Sequence, residues 1–235
     1  MKIERLNWDS DFFNLKVGRI LINRHTTSSD YTQILQSDEL QHFDVIYIFS
    51  SFEILNPENL NIVLYDKKVT YQYRITNVDM CPVDNNIKEC YESDMYLREL
   101  ALRAGHKSRF NLDPHFKSQH FERLYEAWLS NSISGKIADK VYAYCLDGKP
   151  VGLITVGLNE EKEGHIGLIA VHPSYCHQGI ASKLIAAAKN YCHEKGGIVL
   201  NVVTQKYNLD ACNLYEQNGF KIIKEEFIYH KWNNN

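Results

Sequence analysis

The stretch IGLIAVHPSYCHQGIA, residues 166–181, decides how the second half of this chain of 235 residues folds. An apolar, strand-like run ends near Val171, a polar turn containing Pro173 follows, and Gly179 and Ala181 open an apolar helical pattern. Small residues there let a ligand approach the N–H groups of the first helical turn, which suit an anion such as a pyrophosphate. An ordinary strand–turn–helix connection has the same pattern, so this stretch alone does not decide the function.

The rest of the sequence predicts helices and strands on both sides of this stretch. The basis is apolar spacing along helices and β-branched runs bounded by turn residues. In the first half the predicted elements are the strands Val17–Ile22, Val45–Phe49, Asn61–Tyr65 and Val69–Ile75 and a helix at Tyr31–Leu40. In the second half the predicted helices are Met95–Ala104, a segment around residues 121–129, Ile180–Lys195 and Asn208–Asn218, and the strands are Val141–Leu146, Val151–Leu158, His165–Val171, Ile198–Val203 and Phe220–Trp232. The turn Asp147-Gly148-Lys149-Pro150 predicts that the first two of these strands form a β-hairpin.

Glycine usage and one polar stretch suggest two domains. Of the 12 glycines, only Gly18 precedes residue 105, so the second half should hold the tight turns and the functional site. Residues 79–86 are polar, contain a proline and lack periodicity, which is typical of a boundary. We therefore expect a small α/β domain over residues 1–85 and a second domain over residues 86–235.

The composition excludes several classes of protein. With 26 Lys+Arg against 29 Asp+Glu, the net charge of −3 disfavours a protein that coats nucleic-acid phosphates. A hydrophobic fraction of 44% is typical of a packed globular protein rather than a disordered one. No apolar run approaches the roughly 18 residues of a membrane helix, and no signal-peptide pattern is visible. We expect a cytoplasmic protein that binds neither nucleic acid nor a membrane.

Cysteine and histidine spacing indicates neither a disulfide framework nor a metal site. The six cysteines lie at positions 81, 90, 145, 176, 192 and 212, without a C-x-x-C pair. The 10 histidines include no pair with zinc-like spacing to a further ligand. We therefore expect reduced thiols and no bound metal.

A second group of residues lies one strand and one helix after the glycine turn. Asn208 and Tyr215 are seven residues apart and so share one face of a predicted short helix, and Asn208 suits its N-cap. The helix ends in LYEQNGF, residues 214–220. In a chain with 15 tyrosines, a buried packing role for Tyr215 is a serious alternative to a functional one.

Together the two stretches resemble the GCN5-related N-acetyltransferase (GNAT) superfamily, whose signature is Arg/Gln-x-x-Gly-x-Gly/Ala followed by Asn…Ala-x-x-Leu-Tyr-x-x-x-Gly-Phe. Two positions depart from this pattern: Cys176 replaces the Arg/Gln, and His177 stands where a second glycine is usual. The resemblance covers residues 90–235. It implies a GNAT fold, a mixed and mostly antiparallel central sheet flanked by helices, with acetyl-CoA as co-substrate.

The resemblance also implies roles for individual residues. The strand edge would hydrogen-bond the pantetheine arm of acetyl-CoA, and the turn and first helical residues would hold its pyrophosphate. The cofactor-binding set is Ile169, Ala170, Val171, His177, Gln178, Gly179, Ile180, Ala181, Ser182 and Asn208. Tyr215 would protonate the departing thiolate. Asp66 is the candidate base and His165 its alternative, and for each of them a solvated strand-end residue is the competing interpretation. We interpret Cys176 as a substitution without a catalytic role.

A narrower resemblance, to bacterial TDP-fucosamine acetyltransferases, rests on LNWDSDFF (residues 6–13) and Ser108-Arg109-Phe110. It implies transfer to the amine of a TDP-linked aminodeoxysugar, with Arg109 and Phe110 binding the substrate. We expect Asp66 and Arg109 to face one acceptor cavity, although a surface ion pair explains Arg109 equally. A protein N-terminus or another small amine as acceptor, a silent acyl-CoA-binding module, and a homodimer all stay open.

Overall fold

The computed structural model describes residues 2–76 and 82–233, so Cys81 and part of the polar stretch 79–86 lie outside the described residues. The chain forms two compact units. The first contains residues 2–69, 205–207 and 224–233, and the second contains residues 70–76, 82–204 and 208–223. The units therefore interleave along the chain, and its C-terminal residues belong to the first. The division into residues 1–85 and 86–235 stays a prediction.

Ten strands and seven α-helices are present among the described residues. The strands are β1 (Glu4–Arg5), β2 (Val17–Ile22), β3 (Val45–Ser50), β4 (Val63–Arg74), β5 (Ile87–Glu89), β6 (Lys140–Leu146), β7 (Lys149–Leu158), β8 (Glu163–Val171), β9 (Val199–Gln205) and β10 (Lys221–Trp232). The helices are α1 (Asn7–Phe13), α2 (Ser28–Leu35), α3 (Met95–Ala104), α4 (Arg109–Leu112), α5 (Ser118–Ile133), α6 (Ile180–Glu194) and α7 (Leu209–Gln217). Short 3₁₀ helices lie at Asp38–His42, Pro57–Leu60 and Pro173–Tyr175. Across residues 2–76 and 82–233, no helix is long and apolar enough to cross a bilayer.

The first unit is built around the apolar strand β3. Its strands lie in the order β1-β2-β3-β10-β4. β2 pairs with one edge of β3 in parallel and β10 with the other edge antiparallel. Each of the residues Val45–Ile48 is fully buried, which requires both faces of the strand to be covered. The hydrophobic core of this unit includes Ile20, Leu35, Ile48 and Tyr229.

The second unit contains a mostly antiparallel sheet in the order β9-β8-β7-β6-β5. Only β8 and β9 run parallel in this set. The predicted hairpin is confirmed: β6 and β7 are joined by Asp147 and Gly148, whose φ angles of 49° and 75° are those of a tight hairpin turn. Helices α3, α5 and α6 contact the strands. The predicted fold class, mixed α/β with a mostly antiparallel sheet flanked by helices, is confirmed.

Two predicted strands of the first half form one strand. The sequence places a break between Asn61–Tyr65 and Val69–Ile75, because three charged residues, Asp66 to Lys68, separate them. The structure instead continues as β4 from Val63 to Arg74. Lys67 pairs with Glu53, in the connection after β3, at 3.0 Å, and Lys68 pairs with Glu226 of β10 at 3.3 Å, so residues outside this segment accommodate these charges.

The predicted helix Tyr31–Leu40 is shifted. Helix α2 begins at Ser28 because Thr27 accepts the Asp30 N–H and the Asp30 carboxylate accepts the Thr27 N–H, a capping box that sets the N-terminus. The helix ends at Leu35, and Leu40 lies in a separate 3₁₀ helix. The short elements β1, α1, α4 and β5 were not predicted, because they are too short to show periodicity.

Candidate active site

An opening lies between the parallel strands β8 and β9 of the second unit. Their pairing begins with Glu163 opposite Val199 and ends with Ile166 opposite Val202. Both strands continue past that last pair. The facing backbone edges beyond Ile166 therefore do not bond to each other, and they are able to pair with an inserted extended ligand.

A β-bulge explains why the strands separate there. The register of β7 with β8 shifts between Ile154 and Val156, so Thr155 faces both Gly167 and Leu168. The Leu168 N–H donates to Thr155 Oγ1 at 2.9 Å instead of to a strand carbonyl. An extra residue bends the bulged strand, which directs β8 away from β9 at this point.

Gly167 is required by the packing at the bulge. A Cβ at Gly167 would lie 2.8 Å from Thr155 Oγ1 and 3.2 Å from Trp128 Nε1. Trp128 belongs to α5 and stacks on Tyr125 with ring centroids 5.7 Å apart. Helix α5 therefore packs directly over the point where the opening begins.

The three predicted pantetheine-binding residues, Ile169, Ala170 and Val171, are half-buried and lie in the part of β8 that pairs with β7 but not with β9. The Val171 carbonyl accepts a hydrogen bond from Arg103 Nε at 2.9 Å, so that oxygen already has a protein donor. A pantetheine role for all three residues stays a prediction.

The predicted pyrophosphate turn has the backbone that its residues imply. Gly179 has φ 74° and a Cβ there would contact nothing within 4 Å, so the space beside it is open. His177 also has a positive φ, 61°. The left-handed conformation explains why glycine is usual at this position, and histidine adopts it at modest cost. His177, Gln178 and Gly179 are exposed.

The first turn of α6 offers backbone groups more than side chains. The Ile180 side chain is buried against the sheet, so only its N–H faces outward along the helix axis. Ala181 is half-buried, and Ser182 Oγ accepts a hydrogen bond from Asn218 Nδ2 at 3.1 Å. With no acidic residue in this turn, the positive end of the helix dipole is uncompensated, which favours an anion.

Tyr215 is held in an aromatic cluster on α7. Its ring centroid lies 5.5 Å from that of Tyr71 and 5.8 Å from that of Phe220, and the residue is 2% exposed. Burial, with a smaller contribution from the nearby Cys212, raises the pKa of Tyr215 above its ordinary value. Among the described residues, none forms a hydrogen bond with its hydroxyl. The hydroxyl therefore keeps its proton at neutral pH.

Tyr71 supports this cluster and was not predicted. Its hydroxyl donates to Glu216 Oε1 at 2.8 Å, one residue from Tyr215. Burial and the neighbouring Cys212 and Glu216 raise the pKa of Tyr71, so it stays a donor. The alternation of buried and exposed residues along β4 shows that the Tyr71 side chain points inward. That alternation does not reveal the contact of Tyr71 with α7.

Asn208 is the N-cap residue of α7, as the sequence predicts, although its side chain makes no capping hydrogen bond. Its Oδ1 instead accepts a hydrogen bond from Lys107 Nζ at 3.1 Å, and its Nδ2 donates to Thr204 Oγ1 at 3.3 Å. Asn208 therefore ties the end of β9 to the connection between α3 and α5. Its role in cofactor binding stays a prediction.

The predicted acceptor residues lie in different units. Arg109 and Phe110 begin α4 in the second unit, with the guanidinium carbon 4.4 Å from the Phe110 ring centroid. Asp66 lies within β4 in the first unit and is 5% exposed. The alternative of a solvated strand-end residue is therefore wrong for Asp66. Its role as base, and its sharing of a cavity with Arg109, stay predictions.

The side chains of His165 and Cys176 each contact a backbone carbonyl oxygen. His165 Nε2 lies 3.0 Å from the Ile137 carbonyl, to which it donates. It also precedes the opening, in the paired part of β8. The Cys176 thiol lies 3.6 Å from the His172 carbonyl and is half-buried, which agrees with a packing role.

A surface cavity of about 610 Å³ in the first unit contains none of the predicted site residues. Its lining includes the ion pair of Glu4 and Arg19, at 2.6 Å. The charges of this ion pair already neutralise each other, and no residue of the GNAT-like motifs lines this cavity. We therefore choose the opening between β8 and β9 as the candidate active site.

The curated proteins that the chain matches over part of its length include two of known family or process. It is 29% identical over 134 residues to the spore coat polysaccharide biosynthesis protein SpsD of Bacillus subtilis (strain 168), covering 57% of this chain and 46% of SpsD. It is 32% identical over 85 residues to N-alpha-acetyltransferase 30 of Saccharomyces cerevisiae, covering 34% of this chain and 48% of that protein. The chain thus spans about half the length of the curated relatives it matches.

The acetyltransferase (GNAT) family model matches residues 101–220, which include the opening, the glycine turn and Tyr215. Among solved structures, the GCN5-related N-acetyltransferase from Sphaerobacter thermophilus superposes with a TM-score of 0.58 at 13% identity, covering 98% of this chain and 76% of that one. At that identity the likeness concerns the fold alone.

Proposed function

Because the chain belongs to the acetyltransferase (GNAT) family, we propose that it transfers the acetyl group of acetyl-CoA to the amine of a TDP-linked aminodeoxysugar for surface polysaccharide synthesis. The observation that carries the proposal is the separation of β8 from β9 beyond Ile166, beside the open N-terminus of α6. An extended pantetheine arm fits between strand edges, and a pyrophosphate fits a helix N-terminus next to Gly179.

The proposed reaction is direct transfer between the two substrates. The neutral amine attacks the thioester carbonyl carbon, and the tetrahedral species collapses with cleavage of the carbon–sulfur bond. The thiolate of CoA takes the proton of the Tyr215 hydroxyl, which burial keeps protonated. Tyr215 then recovers a proton from solvent. The proton lost by the attacking nitrogen needs an acceptor, for which Asp66 is the candidate implied by the resemblance.

The charge of residues 103–123 favours a phosphorylated acceptor over a peptide. Within residues 103–123, five basic residues stand against the acidic pair Asp113 and Glu122, in a chain whose net charge is −3. The basic residues are Arg103, Lys107, Arg109, Lys117 and Arg123. A nucleoside diphosphate gains from such a segment, whereas a peptide N-terminus is repelled by it. The name of SpsD supports polysaccharide synthesis, and that of N-alpha-acetyltransferase 30 supports the rival.

We place the reaction in the cytoplasm. The five cysteines of the described residues, Cys90, Cys145, Cys176, Cys192 and Cys212, are all thiols. Thiols are typical of a reducing compartment, where acetyl-CoA and nucleotide sugars meet.

A panel of acceptors tests the proposal through release of free CoA. We expect release with a TDP-linked 4-amino-4,6-dideoxyhexose, much slower release with the same sugar lacking TDP, and none with the matched TDP-sugar that has a hydroxyl in place of the amine. Release with a peptide N-terminus but not with the TDP-sugar contradicts the substrate. Binding of acetyl-CoA without release on any amine would instead support a silent binding module.

A further inference from the structure

The opening between β8 and β9 has a closed end and an open end. The last residues that pair the two strands are Ile166 and Val202, and the strands separate from there towards Val171. Gly152, which pairs with Val171, packs against the first turn of α6, since a Cβ there would lie 3.0 Å from Ile180 Cγ2. The N-terminus of α6 therefore lies at the open end.

Acetyl-CoA bound as in the proposed function carries its acyl group to the closed end. Its pyrophosphate lies at the N-terminus of α6, and the pantetheine arm that runs along β8 separates the pyrophosphate from the thioester. The thioester therefore lies beside Gly167, the first residue of β8 beyond the last pair with β9. The side chains that surround Gly167 are then those that contact the acyl group.

The space beside Gly167 is already filled. A Cβ at Gly167 would lie 2.8 Å from Thr155 Oγ1 and 3.2 Å from Trp128 Nε1, so these two side chains cover that face of β8. The side chains of Thr155, Ile166 and Leu168 are buried, whereas Trp128 is only half-buried. A short acyl group fits between the strand edges, but a longer chain has to displace one of these side chains. Trp128 is the one that borders open space.

Trp128 and Thr155 also present hydrogen-bond donors that the described residues leave unused. Trp128 stacks on Tyr125 of the same helix at an interplanar angle of 23°, and none of the described residues accepts its Nε1–H. The Thr155 hydroxyl accepts the Leu168 N–H at 2.9 Å, and within the same part of the chain nothing accepts its own proton. Two donors suit the carbonyl oxygen of an acyl group, whereas an alkyl chain packed over them would leave both without an acceptor.

We propose that Trp128 is a specificity-determining residue that restricts the acyl donor to acetyl-CoA. The inference rests on the proposed function and adds the length of the acyl group to it. The acetyl carbonyl oxygen accepts a hydrogen bond from Trp128 Nε1, and the methyl group ends against the edge of the indole. A butyryl group has two further methylene groups, which have to move the stacked ring. Forcing extra methylene groups into a packed site weakens binding by about tenfold or more.

Calorimetric titration with acetyl-CoA, butyryl-CoA and free CoA tests the proposal without an acceptor. We expect wild type to bind butyryl-CoA about tenfold more weakly than acetyl-CoA. In Trp128→Ala the two affinities should agree within about twofold, because the cavity left by the indole accommodates the longer chain. Trp128→Phe keeps an aromatic wall and should retain the preference. Free CoA, which has no acyl group, should bind wild type and both variants alike.

Trp8→Ala is the matched control, since Trp8 is an exposed tryptophan of α1 in the first unit, and it should keep the wild-type preference. Wild type that discriminates the acyl groups but releases CoA on no amine contradicts the transfer reaction and leaves the role of Trp128 standing. If Trp128→Ala does not fold, Trp128→Leu, which also lacks the ring, takes its place. Equal affinities of wild type for the two acyl-CoAs, a preference retained in the ring-free variant, or equal weakening of free CoA and acetyl-CoA would overturn the proposal.

Discussion

At the scale of single residues, two buried tyrosine hydroxyls differ in what holds them. Tyr215 Oη has no hydrogen-bond partner among the described residues, whereas Tyr229 Oη accepts the Ile54 N–H at 2.8 Å. Burial raises the pKa of both side chains, so both keep their protons at neutral pH. A hydroxyl without a structural bond adds little to the stability of the fold, which suits a proton donor.

We predict opposite effects of removing these hydroxyls. Tyr215→Phe keeps the ring packing and loses the proton, so kcat falls by about 10²–10⁴-fold with acetyl-CoA affinity and melting temperature nearly unchanged. Tyr229→Phe, the matched control, leaves the Ile54 N–H without its acceptor, at a cost of about 1–3 kcal/mol, and spares turnover. Steady-state kinetics and thermal melting of both variants distinguish a proton donor from a packing residue. A Tyr215→Phe variant that melts lower and turns over normally would make Tyr215 a core residue.

Individual site residues were predictable only where their signal is local. The positions of Gly179 and Tyr215 follow from short motifs. His177 stands where the motif usually has a glycine, and its positive φ explains why glycine is usual there. The bond of Lys107 to Asn208 joins residues 101 apart in the chain, so no local pattern predicts it.

At the scale of elements, α6 has a left-handed glycine at each end. Gly179 is its N-cap with φ 74°, and Gly196 follows its C-terminus with φ 72°. A Cβ at either position would contact nothing within 4 Å. The two glycines differ in that we propose a pyrophosphate beside Gly179 and none beside Gly196.

This symmetry gives a controlled prediction for cofactor binding. Gly179→Ala and Gly196→Ala impose the same backbone strain of about 1 kcal/mol on the same helix, and both should lower the melting temperature alike. Only Gly179→Ala adds a methyl group where the pyrophosphate approaches, and we expect it to weaken acetyl-CoA binding about tenfold by calorimetry. Equal affinity of the two variants would remove the α6 N-terminus from the cofactor site.

Elements formed by local signals were predicted well, and those decided by distant partners were not. The Asp147-Gly148 hairpin and the helix Met95–Ala104 match their predicted positions, because turn chemistry and apolar spacing lie within each segment. The break predicted within β4 is wrong because Lys68 pairs with Glu226, far along the chain. The β-bulge at Thr155 likewise depends on how two strands meet, which neither strand shows alone.

At the scale of the whole molecule, the second unit is the part of the chain that we propose binds an extended ligand. β8 and β9 leave their edges open beyond Ile166, and the first turn of α6 leaves N–H groups unbonded within the helix. If acetyl-CoA pairs with β8 and places its pyrophosphate at α6, backbone amides in these two segments become protected, while the core strand β3 does not change.

Hydrogen–deuterium exchange with and without acetyl-CoA therefore tests the central claim most directly. We predict slower exchange in residues 167–171 and 180–182 on adding acetyl-CoA, with unchanged exchange in Val45–Ser50 as the internal control. The Gly179→Ala variant should show less protection at 180–182 at the same acetyl-CoA concentration. Binding of acetyl-CoA that leaves both segments unprotected, or protection confined to the first unit, would contradict the assignment of the opening as the acetyl-CoA site.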